Sequence, residues 1–382
     1  MRSLLLAGAL ICAPSVAWVQ GHGRVPEPAP SAVVPGALSA AALADARRVV
    51  AAAAQPAAPW TGPRSGPRAQ SGKLLAVVNE DLRNGGILSV NDGVLEAAKV
   101  VGWKVKVFDA GGTPEGRRKT LAEAFDSHPD GLVLVGGDAR VLRPGLLPFA
   151  ERGIPVVGWH VAARAGPVAG TPVAMNVSTD PLDVARVAAL AAVVQSGGRA
   201  GVVIFTDGSF ELPKAKSDAM AAVVRECGGC ALLDVQDIAI SRSADLMPGA
   251  TRALLARYGK RWTHALAIND IYFDYAAPVL TQAGVPDAGL SMLSAGDGSE
   301  SAFLRIRAGT FQTATVAEPL NLQGWQLVDE TNRLLAGELV SGYVYPAHLV
   351  TADNVASDGG DRLHFDPANG YRDIYRRIWK RP

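Results

Sequence analysis

His264–Gly284, HALAINDIYFDYAAPVLTQAG, decides how the rest of the chain is read. Ala265 to Ile268 make a short apolar run suited to a strand buried on both faces. Asn269 and Asp270 stand at its tip, and a helical apolar pattern begins at Ile271. A strand that ends in polar residues and turns straight into a helix is half of a βαβ unit. In open α/β sheets, ligands sit outside the carboxyl ends of the strands, where helix N-termini point. Asn269-Asp270 is therefore open to two readings, helix cap and ligand contact.

The same alternation runs outward in both directions. From Lys73, KLLAVV reads as a strand and ILSVNDGVLEAAKVVGW as an amphipathic helix. KVKVFD, GLVLVGG and IPVVGWH are further strands, separated by a helix capped at Thr113-Pro114 and by PGLLPFAERG. A Pro/Gly-rich loop at 161–180 precedes a second series, which opens with a helix at Asp180-Pro181. AGVVIFTDG, ALLDVQDI, the opening stretch, SMLSAGDG, FQTATVAE and YVYPAHLV are its strands, with a short helix at the tail. Strict alternation implies parallel sheets covered on both faces. The fold class is α/β, with two doubly wound parallel-sheet lobes, to which the resemblance described below adds a hinge and a central ligand cleft.

Polar and aromatic residues collect at the strand tips. Asn79, Glu80, Asp81, Arg83 and Asn84 follow the first strand; Gly136, Gly137 and Asp138 follow the third; Trp159 and His160 follow the fourth. In the second series come Thr206, Asp207 and Phe210, with Lys214 and Lys216 inside the next helix. Asp237, Asn269, Asp270, Asp297 and Glu318 complete the set. Two lobes facing each other would converge these groups on one cleft, with hydrogen bonds at the tips and stacking on Trp159 and Phe210. Plainer readings compete. Gly136-Gly137 is first a tight turn, since no phosphate-loop pattern occurs in the chain. Ser299 caps a helix and has no nucleophile elbow around it. His160 alone is no metal site, and Glu80 and Asp81 lack spaced calcium ligands. Asp297 and Glu318 form a carboxylate pair suited either to hydrolysis or to accepting ligand hydroxyls.

Bulk properties narrow the setting. The 382 residues suffice for two ordinary domains, and a net charge of +1 gives no basic surface for nucleic acid. Residues 1–17 read as a cleaved export signal, with Arg2 before an apolar core and Ser15-Val16-Ala17 at the cut. Residues 18–72 form an Ala/Pro-rich extension with one helix, Ser39–Ala54, and a linker that Trp60 pins to the main body. Cys227 and Cys230, at the end of a helical pattern, read as a local disulfide in an oxidising compartment.

From Lys73 to about Asn354, the chain resembles the ribose-binding type of periplasmic sugar-binding proteins of ABC transporters. The resemblance rests on VNDGVLEAAKVVGWKVKVFDA, ERGIPVVGWH, ALAINDIYFDYAAPVLTQAG, SAGDGSESAFLRIRAGTFQTATVAEP and GYVYPAHLVTADNV in that order. It implies ligand contacts at Asn269, Asp297 and Glu318; Tyr272, at the start of the helix after Asn269-Asp270, is read first as core packing and second as an additional pocket residue. It puts His160-Val161 where the family carries Asp-Arg, Lys216 near its ligand-binding Arg, and Gly86-Ile87 in place of its ring-sandwiching aromatics. It implies lobes of 73–179 plus 319–344 and 180–318 plus 345–382, crossing near Asp180, Glu318 and Tyr345. The implied function is capture of a small polar solute in the periplasm and delivery to ABC permease subunits, by a monomer without cofactor, metal or catalysis. A secreted glycoside-type hydrolase using Asp297 and Glu318 is the alternative, as is a sensor feeding a chemoreceptor or kinase. Asn269 becomes the contact at the opening stretch, and Asp270 the cap or orienting neighbour.

Overall fold

A computed structural model describes residues 39–57 and 59–380; the expected export signal lies outside them. The elements run α1 (Ala40–Ala53), β1 (Leu74–Asn79), α2 (Gly85–Val101), β2 (Lys104–Asp109), α3 (Pro114–Asp126) and β3 (Gly131–Val135). There follow α4 (Ala139–Glu151), β4 (Val156–Trp159), β5 (Val173–Val177), α5 (Pro181–Gln195), β6 (Gly201–Thr206) and α6 (Glu211–Glu226). Next come β7 (Ala231–Asp237), α7 (Ser243–Tyr258), β8 (His264–Ala267), α8 (Ile271–Gln282), β9 (Ser291–Ser294) and α9 (Glu300–Ala308). The chain closes with β10 (Gln312–Ala317), α10 (Leu320–Leu335), β11 (His348–Thr351), α11 (Val355–Gly359) and α12 (Tyr371–Trp379).

The strands form two sheets, in the orders β2-β1-β3-β4-β5 and β11-β10-β9-β8-β6-β7. Every pairing is parallel except β10 with β11. Alternation along the central strands sorts side chains onto opposite faces. Val77 and Val133 pack under α2 and α10, whereas Ala76, Val78 and Leu132 pack on the other face with Leu121 and Phe149. In the second sheet, β6 and β8 are buried throughout and covered from both sides. The backbones of α2 and α10 come into direct contact: a Cβ at Gly93 would lie 2.7 Å from the Asn321 carbonyl oxygen. Only glycine fits that crossing.

Helix starts follow their capping residues. Ser39, Thr113, Asp180 and Ser299 each accept a backbone amide in the first turn, with Pro114 and Pro181 at the first position. Four sequence expectations change. The helix expected at PGLLPFAERG begins at Ala139, because Asp138 accepts the Arg140 and Val141 amides and nucleates it earlier. The supposed loop before Asp180 contains β5, hidden in the sequence by Asn176. That side chain accepts from the Val161 amide and donates to the Ala162 and Arg164 carbonyls, so a polar residue is buried to pin the preceding loop. The closing strand is antiparallel to its neighbour. The tail helix α12 was expected in the second lobe, yet Trp379 stacks on Trp325 of α10 in the first.

Candidate ligand-binding cleft

The carboxyl ends of both sheets face one cavity of about 300 Å³, of mixed polar and apolar wall. Its floor holds three ionisable side chains, Asp297 after β9, His160 after β4 and Lys216 in the second turn of α6, with Glu318, which follows β10, behind them. His160 Nε2 is 2.8 Å from Glu318 Oε1, and its Nδ1 is 3.8 Å from Asp297 Oδ1. Its ring stacks on Trp159 at 3.7 Å between centroids. His160 has φ 54°, a left-handed backbone that turns its ring between Glu318 and the cavity. Glu318 therefore stands behind His160, where Oε2 accepts from the Thr179 amide and from Gln323 Nε2.

The two carboxyls sit in opposed electrostatic states. Burial pushes Asp297 up to about 6, against the attraction of His160 and Lys216. Burial also raises Glu318, but the charges of His160 and Lys216 and the Gln323 hydrogen bond outweigh it and hold Glu318 at about 2. Lys216 is 2% exposed, and among the described residues its ammonium makes one hydrogen bond, 2.8 Å to the Ala295 carbonyl. An ammonium has three donors, so two are left for other partners on a side chain that lines the cavity.

At the opening stretch Asn269 takes the helix-capping bond as well as its expected place in the cavity wall. Asn269 Oδ1 accepts the Ile271 amide at 3.0 Å, while its Nδ2 donates to Asp297 Oδ2 at 2.8 Å. Asn269 thus caps α8, lines the cavity and orients Asp297 together. Of the two roles expected of Asp270, it does not cap its own helix. Its carboxylate accepts the Gly298 and Ser299 amides and Gln312 Nε2, which anchors the loop carrying Asp297. Across the cleft, Asp297 abuts the start of α2. A Cβ at Gly86 would lie 2.2 Å from Asp297 Oδ2, so glycine there admits the carboxylate.

The opposite end of the cavity is built by residues after β1, β2, β6 and β7. Arg117 of α3 grips Glu80 through its Nε at 2.8 Å and sits 5.0 Å above the Phe210 ring of the other lobe. Burial raises Glu80 even so, with Arg117 opposing the shift. Asp81 takes Arg83 at 2.6 Å, and Asp207 accepts the Ser209 and Ile240 amides. Two contacts bridge the lobes beside this end. Asp138, which caps α4, also accepts the Glu211 amide of α6 at 3.2 Å, and Arg140 pairs with Glu211 at 2.6 Å.

Of the residues expected at the site, Glu80, Asp81, Asn84, Trp159, His160, Phe210, Lys216, Asn269 and Asp297 line this cavity. Glu318 does not, for the reason given. Tyr272 does not either: it is fully buried, donates to the Ile238 carbonyl at 2.7 Å and stacks on Phe205. Asn79 is turned into the first lobe, donating to Asn91 Oδ1 and the Phe108 carbonyl. Sequence reasoning missed Arg117 and Ile240; the one signal for Arg117 was its place in the first turn after the Thr113 cap. His160, Asp297 and Glu318 offer ligand atoms within 4.8 Å of one another, a set able to hold a cation. Lys216 already supplies positive charge to that same corner. Cys227 and Cys230 are disulfide-bonded where α6 ends.

A family model described as the periplasmic binding protein domain matches residues 75–339. No curated protein sequence matches the chain at a significant level. Among solved structures, an ABC transporter solute-binding protein from Agrobacterium vitis with bound allitol aligns with TM-score 0.64 at 20% identity, covering 75% of this chain and 97% of that one. The Caulobacter myo-inositol binding protein aligns with TM-score 0.67 at 19% identity, covering 78% and 99%. The 5-methylthioribose transporter solute-binding protein from Thermotoga lettingae aligns with TM-score 0.66 at 17% identity, covering 80% and 92%. At these identities the likeness is one of fold.

Proposed function

The chain belongs to the periplasmic binding protein family, whose members bind solutes for transport and are not enzymes, and on that premise we propose that it captures a small polyhydroxylated solute in the interlobe cleft. Export to the periplasm, a monomeric state and delivery to ABC permease subunits belong to the same reading. The lobes are assigned as 73–179 plus 319–344, to which α12 adds itself, and 180–318 plus β11, with crossovers near Asp180, Glu318 and Tyr345. Closing the hinge between them completes the cavity.

The observation that carries this reading is the convergence of Asn269, Asp297, Lys216 and Trp159 from both lobes on one cavity. An ionised carboxylate accepts hydroxyl protons, and an ammonium donates to hydroxyl oxygens. Glu318 acts as a positioning residue, holding His160 against Trp159. Glycoside hydrolysis is disfavoured by the same geometry: of the two carboxyls it needs, one stands behind His160 and does not reach the cavity.

The solved relatives named above carry allitol, myo-inositol and 5-methylthioribose, so hexitols, inositols and pentose derivatives are the probes of choice. Titration calorimetry of the mature protein with that panel should find at least one ligand bound without product formation. Asp297→Ala should weaken it by about 10- to 100-fold, the worth of a hydrogen bond to a charged group. Turnover of any panel member, or no binding by all of them, sinks the proposal.

A further inference from the structure

The cavity has two chemically distinct ends, and sheet order defines them. The tip of β4 meets the tip of β9, where His160 faces Asp297, and the polar groups Asn269 and Lys216 stand at this end. The tip of β2 meets the tip of β7: a Cβ at Gly112 would lie 2.6 Å from the Ser241 Cβ. At that end the wall is Pro114, Phe210, Ala239 and Ile240. Its carboxylates are already engaged, Glu80 by Arg117, Asp81 by Arg83, and Asp207 by two backbone amides. Besides these paired groups and the Arg117 guanidinium, the Ser209 and Ser241 hydroxyls are the polar groups there. At the other end, by contrast, Lys216 keeps two donors for a ligand.

We infer that the cleft takes a substituted polyol: a polyhydroxylated head at the β4/β9 end and a small apolar group, alkyl, thioether or aryl, against Phe210 and Ile240 at the β2/β7 end. This rests on the solute-receptor reading and narrows it. A hydroxyl placed at the apolar end exchanges its water contacts for few partners, whereas a methyl or phenyl group loses none and gains burial. Phe210, half-buried with Arg117 over one face of its ring, lines the cavity where the substituent would lie. Phe210 and Ile240 are then the specificity-determining residues.

The test is calorimetric titration with matched pairs: each free sugar or polyol beside its methyl, methylthio or phenyl derivative. The derivative of the preferred head should bind about 10-fold or more tightly than its parent, the discrimination expected of a carbon or two in an apolar pocket. Phe210→Ala and, separately, Ile240→Ser should each shrink that ratio severalfold, with the melting temperature recorded to show that the fold survives. Parents that bind as well as or better than every derivative overturn the inference and leave the receptor reading standing. No binding by parents and derivatives alike overturns both. A ratio unmoved in two folded variants overturns the assignment of the subsite.

Discussion

Asp297 carries the most information per atom in this molecule. Its carboxylate touches α2 of one lobe, is oriented by Asn269 of the other, and is pushed up to about 6 by burial. A ligand hydroxyl that donates to the ionised form loses its acceptor when the group protonates. Affinity should therefore hold above pH 6 and fall below it, approaching about tenfold per pH unit. Titration calorimetry across that pH checks it: Asp297→Asn should bind weakly throughout and show no inflection. For stability the sign is opposite. A carboxyl raised in the folded state binds its proton more tightly there, so its contribution is lost as pH rises from 3.8 to about 6. Glu318, held at about 2, contributes fully above 4.5 and loses that contribution as pH falls toward 2. Asp297 and Asn269 were legible in the sequence because polar residues at a buried strand tip have few other places to go. The direction of Glu318, and the choice between core and pocket for Tyr272, were not legible because both are set by neighbours remote in sequence. The left-handed backbone of His160 screens one, and the Ile238 carbonyl claims the other.

Among the elements, α4 and α6 make the clearest link between local capping and the cleft. Asp138 ends the glycine turn after β3, caps α4 and accepts the first amide of α6 across the gap. Asp138→Ala should cost about 1 kcal/mol through the lost cap. It should also weaken ligand binding, because the bond to Glu211 exists only with the lobes together. Arg140→Ala removes an exposed ion pair and should change stability by less than about 1 kcal/mol. Thermal melts and binding isotherms of the two variants separate these roles; an Asp138→Ala protein with unaltered affinity would deny the cross-lobe bond any part in closure. Elements with strong caps were readable in the chain, among them the helices at Ser39, Thr113 and Asp180. β5 and the direction of β11 were not, since edge pairing is decided by which strand lies beside them. The start of α4 was obscured by Pro144 and Pro148, whose helix-opening signal is overridden by the Asp138 cap.

At the scale of the whole molecule, the N-terminal extension is attached to both lobes. α1 packs on α5 of the second lobe. Trp60 is 5% exposed between Tyr343 and Tyr375 of α12, at 5.0 and 5.5 Å, in the core cluster of the first. Gly62 lets that indole fold over the backbone, since a Cβ there would lie 2.4 Å from the ring. Beyond it, Arg333 donates to the Ser65 carbonyl at 2.7 Å and Asn332 to the Pro67 carbonyl at 3.1 Å. The extension therefore completes two hydrophobic surfaces rather than trailing from one. Truncating its indole removes a buried side chain from an aromatic cluster, at a cost of about 3–5 kcal/mol. Trp60→Ala should accordingly lower the melting temperature by several degrees. Ala46→Asp, which places a charge in the buried face of α1, should do the same from the other lobe. Differential scanning calorimetry distinguishes a strap from an appendage. If each variant lowers the main transition, the extension is part of the folded unit; if both leave it unmoved, α1 and Trp60 merely rest on surfaces that are stable without them.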